Sequence, residues 1–165
     1  MNANNIHTLS VYVANKPGVL ARIAQVFARR GFNIDSLVVS SSVDGDFSRM
    51  TITAKGDPLG LQQVIEALRK LIDVIHCQDH TDEDIVVREL ALVKVKVSPE
   101  ERTQILQVAD HFGAKTVDLT ENSMILMVTG ASDKLDAMIG LIKRFKVIEL
   151  VRTGKVVMAR GSEET

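Results

Sequence analysis

The stretch NKPGVLARIAQVFARRGFNIDSL, from Asn15 to Leu37, has the residue types and spacing to hold a small anion or an amino acid. It reads as a loop, a helix and the start of a strand. Free backbone N–H groups at the start of a helix receive a carboxylate, helped by the helix dipole. Asn15 in the loop and Asn33 at the strand start carry amides that suit a polar ligand; Asn is also a common turn residue, the plain alternative for both. The reading places loop and strand start close together at one edge of a sheet. A second group, His76, Cys77 and His80 beside Asp79 and Asp82, has metal-ligand types without metal-ligand spacing. It falls at a strand end and in a linker, with neither zinc-finger spacing nor a HExxH helix. Cys77 reads as a half-buried thiol, and His7 and His111 have no evident partner.

The elements that must position these residues follow from periodicity. His7 to Ala14 alternates, with Leu9, Val11 and Val13 on one face of a strand. Pro17 suits the first helical position, and Leu20, Ile23, Ala24 and Phe27 make one buried helical face. Gly31 closes the helix in the left-handed conformation. Asn33 to Ser42 is a strand, Asp44-Gly45 a hairpin turn, and Phe47 to Lys55 the next strand, with Met50, Ile52 and Ala54 inward. Asp57 caps a helix that starts at Pro58 and buries Leu61, Val64, Ile65 and Leu68. Asp73 to Cys77 completes a βαββαβ order.

Gln78 to Asp84 is polar and acidic and reads as a linker, dividing the chain at 1–80 and 81–165. The pattern then repeats. Glu89 to Val97 is a strand, and Ser98-Pro99-Glu100-Glu101 is a capping box before a helix that buries Ile105, Val108, Ala109 and Phe112. Ala114 to Thr120 and Ser123 to Thr129 form a hairpin. Ser132 caps a fourth helix with Leu135, Met138, Ile139 and Ile142 inward, Val147 to Arg152 is a strand, and Lys155 to Ala159 a short last one. The fold class is therefore α+β: two tandem ferredoxin-like βαββαβ units, each an antiparallel sheet with helices on one face. A unit of this size with a bare sheet face is marginal alone. Tyr12, Val38 and Phe47 fall on such faces, and pairing with a second copy would relieve them. An oligomer is expected.

Composition narrows the partners. With 165 residues, 45% hydrophobic and 25% charged, the chain has the makeup of an ordinary soluble protein. A net charge of −1 argues against nucleic acid held by phosphate contacts. A single cysteine fits a reducing compartment. The N-terminus lacks signal-peptide features and no apolar run approaches a membrane span. A cytoplasmic protein without nucleic-acid or membrane partners is expected.

Five segments in order carry a resemblance. Asn15…Pro17-Gly18-Val19-Leu20 with Arg22, Phe27 and Arg30-Gly31-Phe32-Asn33-Ile34 resembles an ACT domain. Ser48 to Ile52, Arg88 to Val95, Lys134 to Ala137, and Arg152-Thr153-Gly154 with Ala159-Arg160-Gly161 extend it over almost the whole chain. Together they resemble the family of regulatory (small) subunits of acetolactate synthase, with an N-terminal ACT domain and a C-terminal ACT-like domain. The resemblance implies a non-catalytic chain that activates a separate catalytic (large) subunit, which carries thiamine diphosphate, Mg²⁺ and FAD. It implies feedback inhibition by valine, or another branched-chain amino acid, in branched-chain amino acid biosynthesis. The effector then sits between two ACT domains of a homodimer, and by position its contacts are Asn15, Gly18, Val19, Leu20, Asn33 and Ile34. The N–H groups of Gly18, Val19 and Leu20 would take the carboxylate, the amides of Asn15 and Asn33 would orient the effector and its ammonium, and Leu20 and Ile34 would meet its side chain.

Two rivals share the strand order. An acylphosphatase-like hydrolase would need Arg22 as phosphate ligand, although it lies inside the helix, and leaves the second half unexplained. An RNA-binding RRM needs a K/R-G-F/Y-G/A-F motif on its third strand. Here that strand reads Asp46-Phe47-Ser48-Arg49-Met50-Thr51.

Overall fold

The computed structural model describes residues 6–165; the first five residues, part of the N-terminus read above, lie outside the described residues. The chain divides into two compact units, Met1–Val86 with Gly154–Thr165, and Val87–Thr153. Each has its own apolar core.

The first unit contains β1 (Ile6–Ala14), α1 (Val19–Arg29), β2 (Asn33–Ser41), β3 (Phe47–Lys55), α2 (Pro58–Arg69) and β4 (Val74–Asp79). Its antiparallel sheet has the order β2-β3-β1-β4. Alternation in β1 and β3 sends Leu9, Val11, Val13, Met50, Ile52 and Ala54 into the core. There they meet Ile23 and Phe27 of α1 and Leu61, Val64, Ile65 and Leu68 of α2. Cys77 of β4 is fully buried in the same core, and burial pushes its thiol up to about 11. Asp57 caps α2 by accepting from the Gly60 N–H at 2.7 Å.

Two local readings shift. Pro17 is not the first helical residue: it lies in a turn, and Gly18, at φ 84°, is the left-handed residue that caps α1. The buried stripe of α1 accordingly starts from Val19, with Ile23 and Phe27, while Leu20 is 42% exposed.

The second unit runs through β5 (Val86–Lys96), α3 (Pro99–His111), β6 (Lys115–Leu119), β7 (Ser123–Gly130), α4 (Ser132–Ile142) and β8 (Lys146–Arg152). Its strand order β6-β7-β5-β8 repeats that of the first. Both bonds of the Ser98/Glu101 capping box form. Ser132 does not cap α4; Ala131 does, without a side-chain bond. The Ser132 hydroxyl instead donates to Glu89 at 2.9 Å.

Glu89 is the buried charge of this unit, and Arg152 answers it with two guanidinium bonds while reaching Asp136 at 2.5 Å. Burial opposes the Arg152 charge, but the hydrogen bonds it donates to Glu89 and Asp136 outweigh that and raise its pKa above the ordinary value. Three of the segments that carry the family resemblance thus meet in one ion cluster.

The division differs from a cut at 80/81 in two respects: residues 81–86 belong to the first unit, and so do residues 154–165, including β9 (Val156–Met158). The Arg160 guanidinium pairs with Asp84 at 3.1 Å, Arg49 donates to the Thr165 carbonyl, and Gly154 abuts Ser36. The linker is also shorter than read, since Gln78 and Asp79 belong to β4 and β5 begins at Val86.

On the helix-free face of the first sheet, Thr8, Ser10, Thr51 and Thr53 are buried, while Tyr12, Phe47 and Arg49 are half-buried. At one end of it Tyr12 stacks on Phe47 with centroids 5.2 Å apart, and Arg49 lies 5.2 Å from the Tyr12 ring.

Candidate functional site

The residues expected to form one site fall at two places. Asn15, Gly18, Val19 and Leu20 follow the C-terminal end of β1, where Ala14 pairs with Phe47. Asn33 and Ile34 begin β2, where Asn33 pairs with Lys55, and Lys55 also pairs with Ile6 at the beginning of β1. Since β1 and β2 both run antiparallel to β3, they are parallel to each other, and the helix between them returns the chain to the starting end. From Phe47 to Lys55 is roughly 26 Å at about 3.3 Å per residue. The expectation that loop and strand start lie together within one chain is therefore wrong.

At the loop end, the Asn15 side chain donates to the Gly45 carbonyl at 2.9 Å, and its N–H to Asp46 O at 2.9 Å. These bonds tie the loop to the β2–β3 hairpin, and among the described residues the Asn15 amide oxygen has no donor, so it can accept from a ligand. The first α-type bond of α1 runs from the Arg22 N–H to Gly18 O at 3.1 Å. The Val19 N–H makes a long bond of 3.4 Å to Lys16 O. Among the described residues the N–H groups of Gly18 and Leu20 make none, and no side chain caps the helix. Of the three amides expected to receive a carboxylate, two are therefore open, beside the positive end of the helix dipole.

Arg22, one turn into α1, was not expected here. A Cβ at Gly18 would lie 3.7 Å from its Nη1, so the guanidinium flanks the open loop. Its Nη2 pairs with Asp73 at 2.5 Å. The i, i+4 spacing from Gly18 is the sequence signal for this contact.

At the other end Asn33 is exposed, and its amide donates to Asp35 at 3.0 Å; Asp35 also pairs with Lys55 at 3.0 Å. Ile34 is half-buried against the core. A bulge separates Ile34 from Ser36. Among the described residues β2 pairs only with β3, so its outer edge carries unpaired backbone groups.

The histidine and cysteine group does not converge. Cys77 points into the core, and His76 bonds Gln78 at 3.1 Å. His80, its side chain 1% exposed, bonds the Ser10 hydroxyl at 2.7 Å and Glu83 at 2.5 Å. Hydrogen bonds from Gln78 and His80 hold the Glu83 carboxyl below its usual range. His7, which had no evident partner in the sequence, bonds the Gly56 carbonyl at 3.1 Å. Among the described residues no group of three or more His, Cys, Asp or Glu is placed to hold a metal, and no helix is long and apolar enough to cross a membrane.

Known proteins agree with this architecture. Residues 9–76 match the AHAS small subunit-like ACT domain, and residues 88–161 the small subunit of acetolactate synthase. A probable acetolactate synthase small subunit of Archaeoglobus fulgidus is 48% identical, over 96% of this chain and 99% of its own length. The acetolactate synthase small subunit of Mycolicibacterium smegmatis is 41% identical, over 97% and 94%. The crystal structure of the Thermotoga maritima acetolactate synthase small subunit superposes with a TM-score of 0.85 at 37% identity, covering 96% of this chain and 99% of that one.

Proposed function

The chain belongs to the family of acetolactate synthase small subunits, and we propose that it is the regulatory subunit that raises the activity of a separate catalytic subunit and makes it sensitive to valine. The chain itself is non-catalytic. Thiamine diphosphate, Mg²⁺ and FAD belong to the catalytic partner, and the complex works in the cytoplasm on branched-chain amino acid biosynthesis.

The observation that carries the effector reading is the separation of the two half-sites. A ligand as small as valine cannot span roughly 26 Å, so a site using both ends needs two copies. The β2 edge supplies the geometry. Two copies paired through β2 in antiparallel fashion bring the strand start of one beside the loop end of the other. Asn33 and Ile34 of one copy then complete the site that Asn15, Gly18, Val19 and Leu20 of the second begin. The open N–H groups take the effector carboxylate, the Asn15 amide oxygen accepts from its ammonium, and exposed Leu20 with half-buried Ile34 contacts its aliphatic side chain. Each dimer holds two such sites.

Reconstitution tests the function. Added to the catalytic subunit from the same cell, the chain should increase acetolactate formation, and valine should reverse the increase. The chain alone should form no acetolactate. Activation without any response to valine, leucine or isoleucine would remove the effector reading while leaving the subunit reading in place.

A further inference from the structure

We propose that the groove between α1 and α2 of the first unit is the docking surface for the catalytic subunit, which fills it with an acidic amphipathic segment; the assignment rests on the subunit reading above. The groove has a volume of about 610 Å³. Val26 of α1 and Leu59 and Ala67 of α2 form its apolar walls, and Phe32 forms its floor.

Two glycines shape that floor. A Cβ on Gly60 would lie 2.9 Å from the Phe32 ring, and one on Gly56 would overlap it. The ring therefore lies flush against the start of α2, 8% exposed, and leaves a recess beside it. Leu59, in the first turn of α2, stands over the recess and is 70% exposed. An aliphatic side chain so placed gains most from a partner that removes it from water.

The charge around the groove selects the partner. Arg29 and Arg30 close it at the end of α1. Arg30 donates to Gln63 at 2.5 Å and so bridges the two helices. Arg29 complements the C-terminal end of the α1 dipole but has no carboxylate partner among the described residues. The one acidic residue of the lining, Asp57, accepts from the Gly60 N–H as the cap of α2. An apolar wall beside unanswered guanidinium groups fits a helix that carries aliphatic residues on one face and Asp or Glu at the end beside Arg29. Asp79 and Asp82, on the far side of Leu59, confine the positive charge to that end and set the direction of the segment. A second copy is not the occupant, because pairing through β2 uses a sheet edge and not this helix layer.

The test uses the full chain with its catalytic subunit and three variants on exposed positions. Arg29→Glu reverses the charge and Arg29→Lys keeps it. Leu59→Glu removes the apolar anchor and places a carboxylate where the start of α2 favours one. Each chain is titrated into a fixed amount of catalytic subunit, and the concentration for half-maximal activation is read. It should rise at least about tenfold in Arg29→Glu and in Leu59→Glu and stay within about threefold of wild type in Arg29→Lys. Melting temperature, dimer mass and valine binding by calorimetry should match wild type in all three. Half-maximal activation at the wild-type concentration in both Glu variants would overturn the docking surface. Loss of dimer mass or of valine binding in step with activation would also overturn it, since the groove would then serve the dimer or the effector. A wild-type chain that activates nothing would instead fail the subunit reading.

Discussion

Asn15 and Asn33 stand at opposite ends of one sheet, the first tied to the β2–β3 hairpin through Gly45 and the second paired with Lys55. The parallel relation of β1 and β2 separates them, and every effector contact proposed for this chain divides into one group or the other. The proposed binding unit is therefore two copies, not one.

The loop half of the site is most simply tested at Gly18. Gly18→Asp puts a carboxylate beside the open N–H groups, repelling the effector carboxylate. It also forces a side chain into φ 84°, costing about 1 kcal/mol, with Arg22 at ordinary contact distance to receive it. Gly18→Asn carries the same strain without the charge. Activation of the catalytic subunit should persist in both, while Gly18→Asp should lose valine inhibition and Gly18→Asn lose distinctly less. Equal sensitivity of folded Gly18→Asp and wild type would move the site elsewhere.

Arg152 neutralises Glu89, whose side chain is 5% exposed. Arg152→Ala leaves that carboxylate buried without its charged partner and should destabilise the second unit by roughly 3 kcal/mol. Chemical denaturation with a probe in residues 87–153 measures it. Arg152→Ala with Glu89→Gln should recover part of the loss, because the neutral amide needs no counter-charge. A loss no greater than that of an exposed ion pair would show that the cluster is not structurally important.

Cys77 gives a pH dependence with a definite sign. Its folded pKa is raised from 9.0 to about 11, so the folded state keeps a proton that the unfolded state releases. The stabilisation is fully present below pH 9.0 and is lost as the pH rises through about 11, amounting to at most roughly 3 kcal/mol. Urea denaturation at stepped pH should show a steeper alkaline decline in wild type than in Cys77→Ala, measured against each protein's own value at pH 8. Parallel declines would assign the alkaline loss to other groups. The native thiol should also react with thiol reagents only on unfolding.

What was legible in the sequence was local. Leu61, Val64, Ile65 and Leu68 mark α2 by spacing alone, and Ser98 with Glu101 marks the start of α3 through a capping box whose two bonds both form. The tandem βαββαβ order follows from such signals. Less legible was anything set by chain direction or by contact across long separations. Pro17 and Gly18 are each plausible at a helix start, and only the backbone shows that Gly18 takes the left-handed cap. Leu20 and Val19 both fit a helical period; the cap rotates the helix so that Val19 turns inward. The Asn15 and Asn33 types were readable, but their placement depends on strand direction. The return of residues 154–165 to the first unit has no local signal, because glycine at 154 serves a turn and a close contact equally well.

The central claim, a site shared between two copies, is tested most directly by mixing defects. Gly18→Asp spoils the loop half of a site and Asn33→Ala the strand-start half, so neither homodimer should bind valine well. In a mixed dimer one site collects both defects and the other has neither. Unfolding and refolding an equimolar mixture gives mixed dimers as half the population, so calorimetry should recover about a quarter of the wild-type sites at near wild-type affinity. A mixture that binds no more valine than its two parents would contradict the shared site.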